Sequence, residues 1–134
     1  MHFEWNEYYS VGVKEIDDQH KYFLKLIDEL YTAMNENRAP KMLKKFFDKL
    51  SGYANKHFET EENYMIKFKC PGRTKHIEEH KKMRKTIDEL GRKFDEDKIV
   101  LSFDTIDFLE DWLTKHIPEY DKKYTECFHK HGLY

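Results

Sequence analysis

Glycine and proline, the residues that most often interrupt regular structure, are scarce in this sequence. Five glycines and three prolines occur among 134 residues. The rest of the chain forms long blocks in which apolar side chains recur at helical spacing, with short breaks between them. The pattern predicts an all-α protein with one hydrophobic core, which a chain of this length can bury.

The sequence also lacks a strong excess of charge of one sign and any long apolar run. Charged residues make up 37% of the chain, but their signs are interleaved and the net charge is -2. This composition lacks the excess of basic residues that is typical of a nucleic-acid-binding protein. No uncharged apolar run is long enough to cross a bilayer, and the first ten residues do not have the pattern of a signal peptide. We therefore expect a cytoplasmic protein with no nucleic-acid partner and no membrane insertion.

Cysteine is nearly absent as well. Cys70 and Cys127 are the two cysteines, and they form no CxxC motif. The two could pair in principle, but because no export signal is visible we predict that both are free thiols. We also expect Cys70 to lie in a turn, away from any metal. Glycine-rich phosphate loops and the GxSxG nucleophile motif are also missing, which removes many common enzyme classes.

Four amphipathic segments account for most of the chain. We predict helices over about residues 17–36, 40–68, 73–94 and 103–129, with residues 1–15 as an N-terminal arm. Pro40 suits a first helical turn, and Ser102 suits a helix N-cap. The short connections predict an up-down-up-down four-helix bundle that forms a single domain over residues 1–134.

Histidines and carboxylates occupy positions in the apolar seams of these helices. His76 and His80 are four residues apart, so their rings share one helix face with Met83 and Ile87. In an up-down-up-down bundle the polar seam positions fall in one layer at one end, because alternate helices run in opposite directions. The complete set is His20, His57, Glu61, His76, His80, His116 and Asp121.

Each of these residues has an ordinary structural explanation when it is considered alone. A single seam histidine is more often a hydrogen-bonded core residue than a ligand, Glu61 could be salt-bridged, and Asp121 could lie at an exposed helix end. Together, however, they would leave buried polar groups and charges without enough partners, and metal cations would neutralise them. Imidazole and carboxylate suit iron, zinc or manganese, and seven ligands suit two ions better than one. Two irons bridged by Glu61 and Asp121 would leave one position open for dioxygen.

Four segments in this order resemble the hemerythrin family, and specifically its single-domain bacterial members. The segments are WNEYYSVGVKEIDDQH (5–20), HFETEENYM (57–65), HIEEH (76–80) and DWLTKHIPEYDKKY (111–124). The resemblance implies two iron ions bridged by Glu61, Asp121 and an oxo or hydroxo group. It further implies that one iron is saturated and that the other has an open position, with the terminal ligands His76, His80 and His116 on the first and His20 and His57 on the second. The implied function is reversible binding of dioxygen, for storage, delivery or scavenging.

Apolar residues beside the predicted ligands suggest an oxygen pocket. Such a pocket would keep water and protons away from bound oxygen, although each residue could equally be ordinary core packing. Tyr124, three residues after Asp121, could orient a carboxylate or simply pack. The predicted pocket residues are Phe23, Phe58, Trp112, Leu113 and Ile117.

The spacing of His116 and Asp121 does not suit a regular helix. Five residues correspond to a rotation of roughly 140° around the helix axis, which is too wide for one site. We expect a π-bulge to bring the two side chains together, favoured by Pro118, which lacks a backbone N–H.

A diiron oxidase, peroxidase or nitric oxide reductase is the alternative function for the same centre. Diiron oxidases built on helix bundles usually use more carboxylates than the two found here, which favours a binding protein that is not an enzyme. Weak oxidase or peroxidase activity is compatible with that interpretation. Iron storage, sensing or a role as a regulatory subunit would need easily exchanged metal, which a buried site with seven ligands disfavours.

Overall fold

Four long helices and one short C-terminal helix make up the part of the fold that the structure describes. The computed structural model describes residues 4–95 and 102–134. The elements are α1 (Lys14–Asn35), α2 (Pro40–Lys67), α3 (Arg73–Asp95), α4 (Phe103–Glu119) and α5 (Thr125–Lys130), with 3-10 turns at Glu7–Tyr9 and Asp121–Tyr124. Helix α1 packs against α2 and α4, and α2 packs against α3. The predicted all-α four-helix bundle is confirmed, and no strand occurs among the described residues.

Local sequence sets several helix ends. Pro40 is the first residue of α2, where a missing N–H costs no hydrogen bond. Ser102 caps α4, and its side chain accepts a hydrogen bond from the backbone N–H of Thr105. Between α2 and α3, Lys69 and Gly72 have positive φ angles of 51° and 79°, which reverse the direction of the chain. Both predicted helix starts are confirmed.

The N-terminal arm is shorter than predicted, because α1 begins at Lys14 and not at residue 17. Gly12, with a φ of 72°, turns the arm into the helix. Asp17 in the first turn accepts hydrogen bonds from Ser10 Oγ at 2.5 Å and from the backbone N–H of Val11 at 2.8 Å. This carboxylate stabilises the helix start, where backbone N–H groups lack partners within the helix.

The interior of the bundle is apolar along most of its length. Leu30, Leu50 and Ile106 are buried between the helices, and each such side chain contributes roughly 1.5–3 kcal/mol by leaving water. The buried polar side chains are concentrated at one end. None of the described helices combines the length and the apolar character that crossing a bilayer requires.

The predicted continuous fourth helix over residues 103–129 is wrong. Helix α4 ends at Glu119, one residue after Pro118, which has no N–H to extend the helical hydrogen bonds. The Tyr120 N–H still bonds the His116 carbonyl at 2.8 Å, but the Lys123 N–H bonds the Tyr120 carbonyl at 3.1 Å, a spacing of three residues. The predicted π-bulge is therefore also wrong within the described residues. The chain tightens into a 3-10 turn, which brings Asp121 to His116.

Cys70 and Cys127 form a disulfide, contrary to the predicted free thiols. Their sulfur atoms lie 2.10 Å apart and their Cα atoms 5.8 Å apart. Cys70 does lie in the turn after α2, as predicted, and Cys127 lies in α5. The bond therefore joins the α2–α3 turn to the C-terminal helix. The prediction failed because the amino-acid sequence does not contain the distance between these two residues in the fold.

Candidate metal centre

The structure brings all seven predicted ligands together at one end of the bundle. They come from four helices and the 3-10 turn, and none has more than 4% of its surface exposed. The residues are His20 on α1, His57 and Glu61 on α2, His76 and His80 on α3, His116 on α4 and Asp121 in the turn. Their role as metal ligands stays a prediction.

Three histidines and two carboxylates form the first ligand group. The Nε2 atoms of His76 and His80 lie 3.1 and 3.2 Å from Nε2 of His116. Asp121 Oδ1 lies 2.9 Å from His76 Nε2 and 3.0 Å from His116 Nε2. With Glu61 included, one candidate ligand atom from each residue lies within 4.8 Å of all the others. That spacing allows a single ion to contact the whole group.

Two histidines and the same two carboxylates form the second ligand group. His20 Nε2 lies 3.1 Å from Asp121 Oδ2, and His57 Nε2 lies 2.9 Å from Glu61 Oε1. Asp121 thus directs one oxygen toward each group. Glu61 Oε1 lies between the groups, 3.5 Å from His80 Nε2. The two groups share both carboxylates, and the second has one histidine fewer.

Hydrogen bonds within the protein do not satisfy this buried layer. Both ring nitrogens of His20, Glu61 Oε1 and both carboxylate oxygens of Asp121 are buried without a hydrogen bond of acceptable geometry. His116 Nε2 faces two other imidazole nitrogens, although a neutral imidazole has only one donor and one acceptor. Cations would interact with the carboxylate oxygens and with the imidazole nitrogens that face the layer. The donor set therefore fits a metal ion at each group.

The surroundings keep the two shared carboxylates ionised. Burial opposes ionisation of Asp121, but attraction to His116 and short contacts with His116, His20 and His76 hold its pKa well below the ordinary value. Burial and repulsion from Asp121 act to raise the pKa of Glu61, but attraction to His57 and His80 outweighs them and lowers it. Both side chains are thus anionic at neutral pH, as a cation site requires.

The pKa values of two buried histidines beside these carboxylates, His80 and His116, are shifted in opposite directions. Burial lowers the pKa of His80, which favours the neutral imidazole that a metal requires. Burial acts in the same direction on His116, but attraction to Asp121 outweighs it and raises the pKa of that imidazole. A metal ion would replace this proton as the positive partner of Asp121.

Two ligands of the second group are oriented by neutral side chains. The Nδ1 atom of His57 donates to Gln19 Oε1 at 2.7 Å, which leaves Nε2 free to face the layer. Tyr124 Oη donates to Glu61 Oε2 at 2.5 Å. Burial and the nearby Glu61 and Asp121 raise the pKa of Tyr124 well above 10, so its hydroxyl keeps the proton that it donates. The tyrosine therefore orients a carboxylate as well as packing.

A charged pair that sequence reasoning missed orients His80. The Nδ1 atom of His80 donates to Glu62 Oε2 at 2.7 Å. The guanidinium of Arg84 donates to both oxygens of Glu62, at 2.8 and 3.1 Å. The available signal was the four-residue spacing of His80 and Arg84, which places both on one face of α3.

Aromatic rings of the predicted oxygen pocket pack directly on the imidazoles. Phe58 stacks on His80 with ring centroids 4.3 Å apart, and its centroid lies 6.0 Å from that of His57. Trp112 stacks on His116 at 4.3 Å. Phe58 therefore contacts a histidine of each ligand group. The other pocket residues are Phe23, 6.2 Å from His57, and the buried α4 residues Leu113 and Ile117.

Glu62→Ala is expected to weaken metal binding about 10- to 100-fold, because His80 loses the acceptor that fixes its ring orientation. A competitive titration of the metal-free protein against a chromophoric chelator measures this affinity. Glu59→Ala is the matched control, since Glu59 is an exposed residue on the same helix. Equal affinities in the two variants would show that the Glu62 contact does not support the site.

Known proteins share the sequence and the fold of this chain. Residues 11–127 match the family described as Hemerythrin HHE cation binding domain. The bacteriohemerythrin of Methylococcus capsulatus is 34% identical over 120 residues, which cover 89% of this chain and 90% of that protein. A hemerythrin-like protein of Naegleria gruberi is 32% identical over 123 residues, which cover 91% and 90%. A crystal structure of wild-type hemerythrin superimposes with a TM-score of 0.89 at 32% identity and covers 95% of this chain and 98% of that one. The chain belongs to the hemerythrin family.

Proposed function

We propose that this protein is a non-haem diiron protein that binds dioxygen reversibly, for storage, delivery or scavenging. The observation that carries the proposal is the pair of ligand groups that share Glu61 and Asp121 but differ by one histidine. Two ions held this way are chemically unequal, because the ion with fewer histidines keeps a position for an external ligand. Membership of the hemerythrin family and the similarity to bacteriohemerythrins support the same function.

The ligand atoms support iron as the metal. Imidazole nitrogens with carboxylate oxygens suit iron in both common oxidation states, and no cysteine lies in the layer to favour a softer ion. In the proposal, His76, His80 and His116 are the terminal ligands of the saturated iron, and His20 and His57 are those of the open one. Glu61, Asp121 and an oxo or hydroxo group bridge the two. An iron pair held there would supply the electrons that reversible binding of dioxygen requires.

The residues around the layer favour reversible binding by excluding water and protons. Phe58, Trp112, Phe23, Leu113 and Ile117 surround the histidines with apolar surface. The buried phenol of Tyr124 reaches the layer, and its proton is held in the hydrogen bond to Glu61. A site without a ready proton donor favours release of the ligand unchanged over its further reduction.

Phe58→Leu is expected to increase the rate of autoxidation several-fold, because the smaller side chain opens a path for water to the layer. The rate is followed as the loss of the oxygenated absorption in air. Phe47→Leu is the control, since Phe47 is equally buried in α2 but packs against Phe94. If both variants autoxidise at the parent rate, Phe58 is ordinary core packing.

Oxygen uptake distinguishes the proposal from the enzymatic alternative. With the iron fully reduced and a reductant in excess, the proposal predicts rapid consumption of one dioxygen per chain, followed by uptake no faster than autoxidation. Continued consumption of dioxygen, peroxide or nitric oxide in proportion to the reductant would identify a diiron oxidase, peroxidase or reductase instead. The small number of carboxylates, two among seven candidate ligands, favours the first outcome.

A further inference from the structure

A basic surface cavity lies beside the disulfide, at the C-terminal end of the chain. Its volume is about 420 Å³, and Cys127 contributes to its wall. Lys69, Lys123 and Lys130 line the same cavity, with Glu126 as the one acidic side chain. The cavity therefore carries an excess of positive charge next to a sulfur atom. None of the seven candidate metal ligands lines it.

The two cysteines of the disulfide differ in exposure. Cys70 has none of its surface exposed and does not line the cavity, whereas Cys127 is partly exposed and does. Thiol–disulfide exchange requires a thiolate to reach one sulfur atom, so access selects the sulfur that is attacked. In this protein that sulfur belongs to Cys127, and the Cys70 sulfur is the leaving group.

We propose that this cavity is a thiol-exchange site for small anionic thiols, with Cys127 as the residue that becomes modified. The thiolate of the incoming molecule forms a bond to Cys127 Sγ, the Cys70–Cys127 bond breaks, and Cys70 leaves as a thiolate that takes a proton from water. A second molecule of the same thiol then attacks the mixed disulfide. It releases Cys127 and the oxidised form of the reagent, so the two electrons that reduce the protein come from two thiols.

Other contacts hold α5 in place when the disulfide opens. Thr125 Oγ1 donates to the Val11 carbonyl at 2.7 Å, and His129 Nε2 donates to the Gly12 carbonyl at 2.8 Å. Phe128, between these two residues, is completely buried. Helix α5 therefore stays packed against the N-terminal arm, and the exchange occurs on the folded protein. The cavity lysines also remain beside Cys127 to retain an anionic adduct.

The test compares an anionic monothiol, 3-mercaptopropionate, with the neutral 2-mercaptoethanol on the full-length, metal-loaded protein. The ratio of their rate constants is measured for the parent, for Lys123→Gln/Lys130→Gln, and for Lys81→Gln/Lys85→Gln. The last variant loses the same charge from exposed positions on α3. Dividing the parent ratio by each variant ratio cancels the intrinsic reactivity of the reagents.

We expect the ratio to fall about tenfold in Lys123→Gln/Lys130→Gln, which is the effect of two unit charges acting over about 6 Å in water. The ratio should be unchanged in the α3 control and should fall in high salt for the parent. Peptide mass mapping should place the adduct on Cys127. Two free thiols in the air-equilibrated protein, equal ratios in the two variants, or an adduct on Cys70 would each overturn the proposal.

Discussion

Glu61→Ala is expected to reduce bound iron from two ions per chain to one or none, and to lower the thermal unfolding midpoint of the metal-loaded protein by about 10 °C or more. Glu61 belongs to both ligand groups, so its loss affects both ions at once. Metal bound only by the folded state adds about 4 kcal/mol at a thousandfold excess over its dissociation constant. In a chain of this size each kcal/mol shifts the midpoint by roughly 2–4 °C.

The metal-free protein should respond differently to the same substitution. Without metal, Glu61 is a buried anion close to Asp121, and the repulsion between them acts to raise the pKa of Glu61. Removing Glu61 relieves this repulsion, so the midpoint should fall less than in the loaded protein. Metal analysis and calorimetry on both forms measure the difference, with Glu59→Ala as the exposed control. Two tightly held ions in Glu61→Ala would contradict the bridging role.

The double variant Cys70→Ala/Cys127→Ala is expected to unfold about 10 °C below the oxidised parent. The disulfide closes a loop with a sequence separation of 57 residues. In the chain-entropy description, losing such a loop closure stabilises the unfolded state by about 4 kcal/mol. At roughly 2–4 °C per kcal/mol, that gives a shift of the expected size. Thermal unfolding followed by far-ultraviolet circular dichroism is a suitable measurement.

The reduced parent is the control for the double variant. Alanine introduces no new polar group at Cys70, which is fully buried, so the reduced parent and the variant should unfold at similar temperatures. If reduction leaves the midpoint of the parent unchanged, the disulfide contributes no stability. A large fall in the variant alone would point to packing at Cys70 as the cause.

The position of the polar layer could be predicted from the sequence because it depends on helical periodicity. His76 and His80 lie in the seam of α3, and opposite helix directions bring them to the same end as His20 and His116. These are regular properties of long helices. The break between α4 and α5 was missed because either a π-bulge or a 3-10 turn can accommodate the five-residue spacing between His116 and Asp121. Only tertiary packing decides between these two backbone structures.

The disulfide and the contacts around His80 depend on distances that the sequence does not contain. Cys70 and Cys127 are far apart along the chain, and their pairing requires the position of α5 on the α2–α3 turn. Glu62 and Arg84 are charged residues on separate helices, and such residues usually face solvent. The packing of α2 against α3 places Glu62 beside His80 and Arg84, which share one face of α3.

Repeated oxygenation is the most direct test of the proposed function. The purified protein, loaded with iron, is reduced without air, exposed to dioxygen and then returned to argon while its visible absorption is followed. The account predicts an absorption that appears with dioxygen and disappears under argon over several cycles, at two irons per chain. A single, irreversible conversion to the ferric form would contradict it.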